Sequence, residues 1–509
     1  MSAMKRSINI ILAVAASLVL TVSCMNFLKE EPMTFEQPGN YYSTEAQVRM
    51  GANGAYYGIR TMLNSIGLGG GIVVTMTEAM CGYSERTGSS FADLTEILNL
   101  SVSGENNFVA AAWGSLYGSL NNVNTMIDVL ENKTDIDISP ASHDRYLGEM
   151  YFLRGLYYSY LVRYYGPVVL NTTPTTGFSD AAKPLTPANE VLDQVISDLE
   201  TAERLMESGG VAWHEESGRV SKGAVKALLA KMYLTKAGYP TQDASFYKKA
   251  YDKALEVVNS DIFSLYPTYE AARKNYNTNG AEYLFSVQCA KDQYHNPLHM
   301  MSVPRPGGLT LQPYISMYDA TRPGGDWQPC SQFYASYGTG DKRTENHAYY
   351  FTSQKSLDGT VTHTFPPALY KYWDDDAVND GKSGKNFPLI RYTDVLLTLA
   401  EAACAGGSTS DAAAIDAYYQ VRHRAMPTED KPSSITFEQV FKERMWEQAF
   451  EGENWFNMIR TRKAFDFASG QVVDLIGYQA PMMANAYEEA DLLLPYPVEQ
   501  VRLNPNLKR

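Results

Sequence analysis

The feature that most limits the folds open to this chain is a succession of amphipathic segments in its first half. In each segment apolar residues recur every three or four positions, the period of a helix that buries one face. The predicted helices span residues 42–63, 106–130, 142–165, 187–206, 222–237 and 245–259. Gly/Pro turns join them in pairs, as in tetratricopeptide-like hairpins, although no strict repeat recurs at a fixed period. The pattern predicts a mainly α-helical fold.

The pattern changes near Tyr266. Residues 266–388 are rich in Gly, Pro, Asn, Asp and aromatic side chains, with only short strand-like pieces such as 283–287. A long irregular stretch in a compact protein is commonly a functional loop. Helical periodicity returns over 390–405, 411–424 and 437–462, and the apolar, Pro-containing tail 492–507 is expected to dock as an extended segment. We therefore expect a helical scaffold that carries a loop-rich, aromatic-rich insert with few short strands.

The first residues have the pattern of an export signal. Lys5 and Arg6 precede an apolar run over 8–22, which is short for a membrane span of about 20 residues. The run ends in a sequence similar to a bacterial lipobox, in which the cysteine becomes the first mature residue and carries lipid. The usual leucine stands one place early, at Leu20, and an ordinary signal peptide is the alternative. We predict a lipoprotein signal peptide over 1–23 and lipidation of Cys24.

Composition argues against several classes of function. The chain carries 43 Lys and Arg against 57 Asp and Glu, a net charge of −14, so nucleic-acid phosphates would be repelled. Four further cysteines are far apart and form no C-x-x-C pair, which indicates neither a zinc site nor a redox dithiol. They are Cys81, Cys289, Cys330 and Cys404. Their even number permits disulfides in an exported protein, and the sequence leaves their state open.

Several collinear blocks resemble the SusD/RagB family of Bacteroidetes lipoproteins. After Cys24 the chain reads MNFLKEEP, which is similar to the start of the mature proteins of that family. Its internal signatures are matched by EMYFLRGLYY (149–158), FPLIRYTDVLL (387–397) and ERMWEQAFEGENWFN (443–457), and its ending by LPYP (494–497). Asn457 stands where the family usually has Asp. The resemblance runs from Cys24 to the C-terminal end.

The resemblance implies a fold and a role. Members of the family are mainly α-helical, with tetratricopeptide-like helix pairs that scaffold irregular loops. They are anchored by lipid to the outer membrane at the cell surface and cap a SusC-type TonB-dependent transporter. They capture oligosaccharides or, in some members, peptides, and they are not enzymes. The implied organisation is an N-terminal helical region over 24–265 that forms one compact unit with a C-terminal region over 266–509.

Two groups of charged residues are interpreted as structural. Glu443, Glu447 and Glu451 are spaced i, i+4 and i+8 on a predicted helix face, which is typical of a salt-bridged face. The nearby basic residues are Arg444, Arg460 and Arg462. In the second group, Arg391, Asp394 and Glu401 are expected to form buried ion pairs between helices.

Other residues that could carry chemistry give weak signals. The run Asp374-Asp375-Asp376 could bind a structural calcium ion, a hard cation that prefers clustered oxygens, but it lacks EF-hand spacing and a solvated loop is favoured. Pro297 disrupts the helical spacing of His295 and His299 that a metal site would need. No catalytic residue or cofactor is predicted. A secreted glycosidase remains an alternative, because two acids that are distant in the sequence could meet in the fold. It is less favoured, since no particular pair of acids is indicated.

Two loop regions offer what sugar binding requires, namely flat aromatic faces flanked by side chains that bond hydroxyls. One region is 81–91, and the other lies in the insert, from residue 294 to 328. The candidate ligand-binding residues are Trp327, Tyr83, Arg86, Phe91, Tyr294 and His295. Trp113 and Trp455 follow helical periodicity and are assigned to the core. We predict a glycan-binding protein, with a binder of peptides or another nutrient on the same scaffold as the alternative.

Overall fold

The fold is given by a computed structural model, which confirms the mainly helical prediction. It describes residues 41–61, 63, 72–85, 92–177, 182–299, 328–355, 360, 362–377 and 380–507. The predicted signal peptide and four predicted functional residues lie outside these ranges; the four are Cys24, Arg86, Phe91 and Trp327. Of the helices that the structure describes, none is both long enough and apolar enough to cross a membrane.

The helices of the first half are α1 (Glu45–Thr61), α2 (Ile72–Met80), α3 (Ala92–Leu98), α4 (Asn107–Asn132), α5 (Pro140–Tyr165), α6 (Ala188–Ser208), α7 (Lys222–Ala237) and α8 (Ser245–Val258). Six of them confirm predicted helices to within a few residues. Local capping explains this agreement: Ser139 and Pro140 begin α5, and Gly166, at φ 70°, ends it. Helices α2 and α3 were not predicted, because a short apolar run has no clear helical period.

The helices of the second half are α9 (Tyr269–Lys274), α10 (Ser331–Ser336), α11 (Tyr392–Ala405), α12 (Ala412–Ala425), α13 (Phe437–Glu447), α14 (Asn454–Thr461) and α15 (Val498–Leu503). The prediction of one helix over 437–462 is wrong, since Phe450 (φ 64°) and Gly452 (φ 86°) turn the chain between α13 and α14. The tail docks through buried Leu494 and Tyr496, but it contains α15 and is not wholly extended.

Each helix from α4 to α7 packs on its successor, α8 packs on α11, and α11 packs on α12. One layer of consecutive helices therefore joins the two halves of the sequence. Several tyrosines of α5 lie inside this layer with bonded hydroxyls: Tyr157 donates to the Ala55 carbonyl at 2.9 Å, and Tyr165 to the Val109 carbonyl at 2.7 Å. Trp113 is buried there too, as predicted. Bonded hydroxyls allow tyrosines to be buried at little cost, although the buried Tyr164 hydroxyl has no partner among the described residues.

The strands are β1 (Ser84–Glu85), β2 (Tyr283–Val287), β3 (Gln328–Pro329), β4 (Tyr350–Lys355), β5 (Thr362–Leu369), β6 (Phe387–Arg391), β7 (Lys463–Asp466) and β8 (Gln471–Asp474). They form antiparallel pairs, β1 with β3, β2 with β6, β4 with β5 and β7 with β8. β2 confirms the strand predicted at 283–287. The described part of the insert thus contributes strands to three of these pairs, and β4–β5 lies wholly within it.

The predicted buried ion pairs are confirmed. Arg391 lies 2.9 Å from Glu282 and 2.7 Å from Glu451, and Arg444 lies 2.7 Å from Asp394. Arg460 pairs with Glu401. Two details differ from the sequence-based interpretation: Glu451 lies in the turn after α13, where Arg391 still reaches it, and Arg462 pairs with Glu489 instead.

The four cysteines whose pairing was left open are free thiols. Cys81, Cys330 and Cys404 are buried. Burial raises the pKa of the Cys81 thiol well above its usual value, which keeps that side chain protonated and unreactive.

Candidate functional site

A two-residue strand pair brings the two predicted loop regions together. Ser84 lies opposite Pro329 and Glu85 opposite Gln328, and the Cys330 N–H donates to the Tyr83 carbonyl at 2.8 Å. β1 ends where the region 86–91 begins, and β3 begins where the segment 300–327 ends. The end of one candidate region and the strand that begins the other therefore lie side by side, although about 240 positions separate the two strands in the sequence.

Tyr83 is part of the core. Its ring is buried, stacks on Phe333 with centroids 4.4 Å apart, and meets the Phe450 ring edge-on at 5.3 Å. Its hydroxyl donates to the Glu78 carboxylate and accepts from the Asn454 amide at 3.2 Å. The prediction that Tyr83 presents a free face to a ligand is wrong, because both its ring and its hydroxyl are already engaged. Tyr83 positions β1 instead.

Glu78 fixes Tyr83 and the distant turn between α13 and α14. This fully buried carboxylate on α2 accepts from the Tyr83 hydroxyl and from the backbone N–H groups of Phe450, at 2.8 Å, and Gly452. Burial raises the pKa of Glu78 to about 7, although these hydrogen bonds and Lys371 act in the opposite direction. Sequence reasoning missed Glu78. The sequence did contain a signal for it, a single carboxylate within an apolar run. An acid that is buried in such a run usually has specific partners, so it could have been identified as a structural contact.

Tyr294 is exposed, as its predicted role requires. Its side chain is 44% exposed, and paired backbone hydrogen bonds with Ala290, at 2.8 and 2.9 Å, hold it in place. The Arg60 guanidinium lies over its ring, 3.8 Å from the centroid. The Tyr57 ring, 56% exposed, lies 6.5 Å from that of Tyr294 at 69°. We call Tyr57, Arg60 and Tyr294 the aromatic–arginine cluster.

The aromatic–arginine cluster joins the last turn of α1 to the insert. Tyr57 and Arg60 share one face of α1 because they are three residues apart. The sequence analysis placed both residues in a helix and gave them no further role. The signal that it missed was an aromatic residue and an arginine in the last turn of a helix, shortly before a Gly-rich segment. His295 follows Tyr294 and is partly buried. Next to it, the buried Asn296 anchors the loop by donating to the Lys385 carbonyl at 3.0 Å.

The acidic run that could bind calcium has protein partners. Asp374 accepts from the Ser383 hydroxyl at 2.6 Å, and Asp375 accepts from the indole N–H of Trp373 at 2.8 Å. His299 is buried, with its ring 5.0 Å from that of Trp373. Within the described parts of the chain, no group of three or more His, Cys, Asp or Glu side chains is placed to hold a metal ion. A calcium ion therefore gains no support from this geometry.

Two cavities open elsewhere on the surface. One, of about 560 Å³, lies between the ends of α5 and α7 and is lined by apolar side chains together with Tyr239 and Arg462. The other, of about 630 Å³, is polar and lies between α9 and α12. In the first, Arg462 lies 4.6 Å above the Tyr239 ring and is paired with Glu489 at 2.9 Å. That pair resembles Arg60 and Tyr294, except that its arginine has an acidic partner.

Comparison with known proteins gives two sequence-family matches. The model of the SusD family matches residues 201–509, more than half of the chain. A second model, described as starch-binding associating with outer membrane, matches residues 75–234.

Individual relatives extend these matches over almost the whole chain. A SusD-like protein of Bacteroides ovatus is 26% identical over 458 residues, which cover 78% of this chain and 80% of that protein. A crystal structure of a SusD superfamily protein from Parabacteroides distasonis has a TM-score of 0.80 and 31% identity, covering 91% of this chain and 98% of that one. Surface glycan-binding protein A from Bacteroides uniformis has a TM-score of 0.73 over 91% and 99% of the two chains. At 19% identity, that likeness shows the fold alone.

Proposed function

The chain belongs to the SusD family, and on this premise we propose that it is a cell-surface lipoprotein that binds glycans. It captures oligosaccharides at the aromatic–arginine cluster and delivers them to a SusC-type TonB-dependent transporter in the outer membrane. A relative of the same fold is named as a surface glycan-binding protein, and one matching family model is described as starch-binding. Both descriptions support a carbohydrate as the ligand.

The observation that carries the proposal is the exposure of Tyr57 and Tyr294. The two rings stand at 69° to each other, so a sugar could lie on one ring and touch the edge of the other. Aromatic faces bind the C–H surfaces of pyranose rings, and the polar groups around them bond the hydroxyls. Arg60 and His295 are suitable donors. Trp327, outside the described residues, stays the predicted additional platform.

A role in binding without catalysis agrees with the structural role of the clustered glutamates in the second half of the chain, which form buried ion pairs. Glu447 is buried among Arg343, Arg391 and Arg424, and Glu443 is paired with Arg343 at 2.8 Å. The aromatic–arginine cluster itself contains no carboxylate. General acid–base hydrolysis of a glycosidic bond usually requires a pair of carboxyl groups across the bond. We therefore propose a non-catalytic role for the cluster.

Attachment through Cys24 would let the folded part of the protein stand away from the membrane. Tyr41, the first described residue, lies seventeen positions after Cys24. An extended chain of that length reaches up to about 60 Å. Lipid on Cys24 would therefore keep the protein at the cell surface, next to a transporter in the same membrane.

A glycan array followed by calorimetry tests the proposal. The mature protein should bind at least one oligosaccharide, and Tyr294→Ala should weaken binding about tenfold, because an aromatic contact of about 1.4 kcal/mol is lost. Tyr239→Ala is the matched control: Tyr239 is also exposed and also lies under an arginine, and it should leave the affinity unchanged. Binding that is equal in both variants, or absent in the wild type, would refute the proposal.

A further inference from the structure

Arg60 has no acidic partner among the residues that the structure describes, which sets it apart from most of the arginines that are at least partly buried. Arg145, Arg154, Arg163 and Arg219 each pair with an Asp or Glu. Arg273 is not ion-paired, but it donates to the Trp373 carbonyl at 3.2 Å. Arg60 forms neither kind of bond with any residue that the structure describes, and its Nε is buried without a partner. A guanidinium in this state has unused capacity for hydrogen bonding.

Among the residues that the structure describes, no carboxylate forms an ion pair with Arg60. Burial lowers the pKa of Arg60, and the neighbours that act on it in the opposite direction are Cys289, Tyr57 and Tyr294. An arginine stays protonated in such a place, because its pKa begins above 12. A half-buried cation without a counter-charge is costly for a protein to keep. In a chain with a net charge of −14, the aromatic–arginine cluster is therefore locally positive.

The geometry also leaves the guanidinium available to a ligand. Its central carbon, Cζ, lies 3.8 Å from the centre of the Tyr294 ring. An arginine that stacks on an aromatic ring does so through its face, and its in-plane N–H groups are not used by that contact. The planar fork of N–H groups fits a carboxylate or a sulfate through two parallel hydrogen bonds. Bonds of this kind to an ionised acceptor are stronger than those to a sugar hydroxyl.

We propose that this site selects acidic oligosaccharides, with a carboxylate or sulfate group of the glycan bound to Arg60 and the neighbouring sugar ring against Tyr57 or Tyr294. The inference rests on the proposed glycan-binding function and adds the chemical class of the ligand. The alternative is structural: a cation in the last turn of α1 interacts favourably with the helix dipole without any ligand.

The test uses pairs of oligosaccharides that differ only in charge. Oligogalacturonides are compared with their methyl esters, and sulfated galactan oligosaccharides with their desulfated forms, by calorimetry at 50 and 300 mM NaCl. One acidic member is expected to bind at least tenfold more tightly than its neutral counterpart, and the difference should shrink at high salt. The pair that shows this difference distinguishes a carboxylate ligand from a sulfate ligand.

Variants separate the two roles of Arg60. Arg60→Gln should abolish the preference for the acidic glycan, because it should weaken binding of the acidic member much more than binding of the neutral one: the glutamine amide can still donate to a hydroxyl but has no charge to offer an acid. Arg49→Gln, an exposed arginine on the same helix, is the control and should keep the preference. Thermal denaturation verifies that both variants fold.

The outcomes distinguish this inference from the proposed function. If acidic and neutral members bind equally, or if Arg60→Gln retains the preference, the inference is wrong while glycan binding stands. If no oligosaccharide of either charge binds, both proposals are wrong.

Discussion

The carboxylate of Glu78 accepts a hydrogen bond from the backbone N–H of Phe450, 2.8 Å away in space and 372 positions later in the chain. The same carboxylate accepts from Gly452, so it holds the turn in which Phe450 and Gly452 adopt positive φ. Glu78 also binds the Tyr83 hydroxyl beside β1. One buried acid therefore connects the strand pair next to the candidate site with the ion-paired helices of the second half.

Glu78→Gln should change how stability depends on pH. Burial raises the pKa of Glu78 from 4.5 to about 7, so the folded state keeps a proton that the unfolded state has lost in this range. The stability of the wild type should therefore fall as pH rises from 4.5 to 7, by about 3 kcal/mol relative to the glutamine variant. Urea denaturation at several pH values measures the difference. The exposed Glu85→Gln is the control; a pH-independent difference for Glu78→Gln would contradict the assignment.

Glu447→Gln should destabilise the protein strongly. Glu447 is buried, 2.7 Å from Arg424, 3.3 Å from Arg391 and 3.4 Å from Arg343. Without the Glu447 carboxylate these three buried arginines lack part of the negative charge that balances them, which lowers the free energy of unfolding by about 3–5 kcal/mol in a buried network. Denaturant unfolding measures the loss. Glu489→Gln removes the exposed partner of Arg462 and should cost less than about 1 kcal/mol. Similar losses in the two variants would show that the buried network contributes little.

The same ion-pair network should determine the pH at which the protein unfolds in acid. Burial raises the pKa of Glu447, but Arg424, Arg391 and Arg343 outweigh that effect and lower it to about 2. A carboxylate with a lowered pKa stabilises the folded state above its unfolded value of 4.5, and this contribution is lost as pH falls toward 2. Circular dichroism between pH 5 and 2 should show acid unfolding that occurs at higher pH in Arg424→Met. Unchanged midpoints would contradict this role.

Tyr83→Phe should lower stability and leave glycan affinity unchanged. The ring keeps its stacking on Phe333, but Glu78 loses a donor and Asn454 an acceptor. Loss of such buried bonds costs about 1–3 kcal/mol. Urea unfolding and calorimetry together verify the prediction. A drop in affinity at unchanged stability would mean that the Tyr83 hydroxyl contacts the ligand.

Cys24→Ala should release the protein from the membrane fraction. The cysteine is the predicted site of lipid attachment, and several acyl chains are needed for stable anchoring. Cell fractionation and metabolic labelling with palmitate follow the anchor, with Cys289→Ala as a control that should stay membrane-bound and labelled. Labelling of Cys24→Ala at the wild-type level would place the lipid elsewhere.

The sequence predicts best where local signals decide the structure. Helix α7 coincides with the predicted 222–237, because Ser221 caps its first turn and Gly238 follows its last. The break between α13 and α14 could not be predicted in this way, since the residue that holds it, Glu78, lies on another helix. Local helical propensity is routinely overridden by such tertiary contacts.

In the candidate site, too, local sequence signals predicted some features, and contacts between distant residues determined the others. Tyr83 and Tyr294 both follow turn-forming residues in the sequence, yet one ring is enclosed by Phe333 and Phe450 and the other is exposed. Burial of this kind depends on partners distant in the sequence, which a reading of the local pattern does not include. The unusual aromatic content of the insert drew attention to Tyr294, which is exposed, whereas Arg60 lies in a regular helical pattern that gave no such signal.

The β1–β3 pair has a consequence for how such proteins diversify. Main-chain contacts join these strands, and each candidate loop region has one end at the pair. Substitutions, insertions or deletions in those loops therefore need not disturb the β1–β3 strand pair or the ion pairs that stabilise the helices. Over evolutionary time a lineage could exchange one sugar specificity for another by recombining short loops. A protein engineer could do the same by grafting them onto this scaffold.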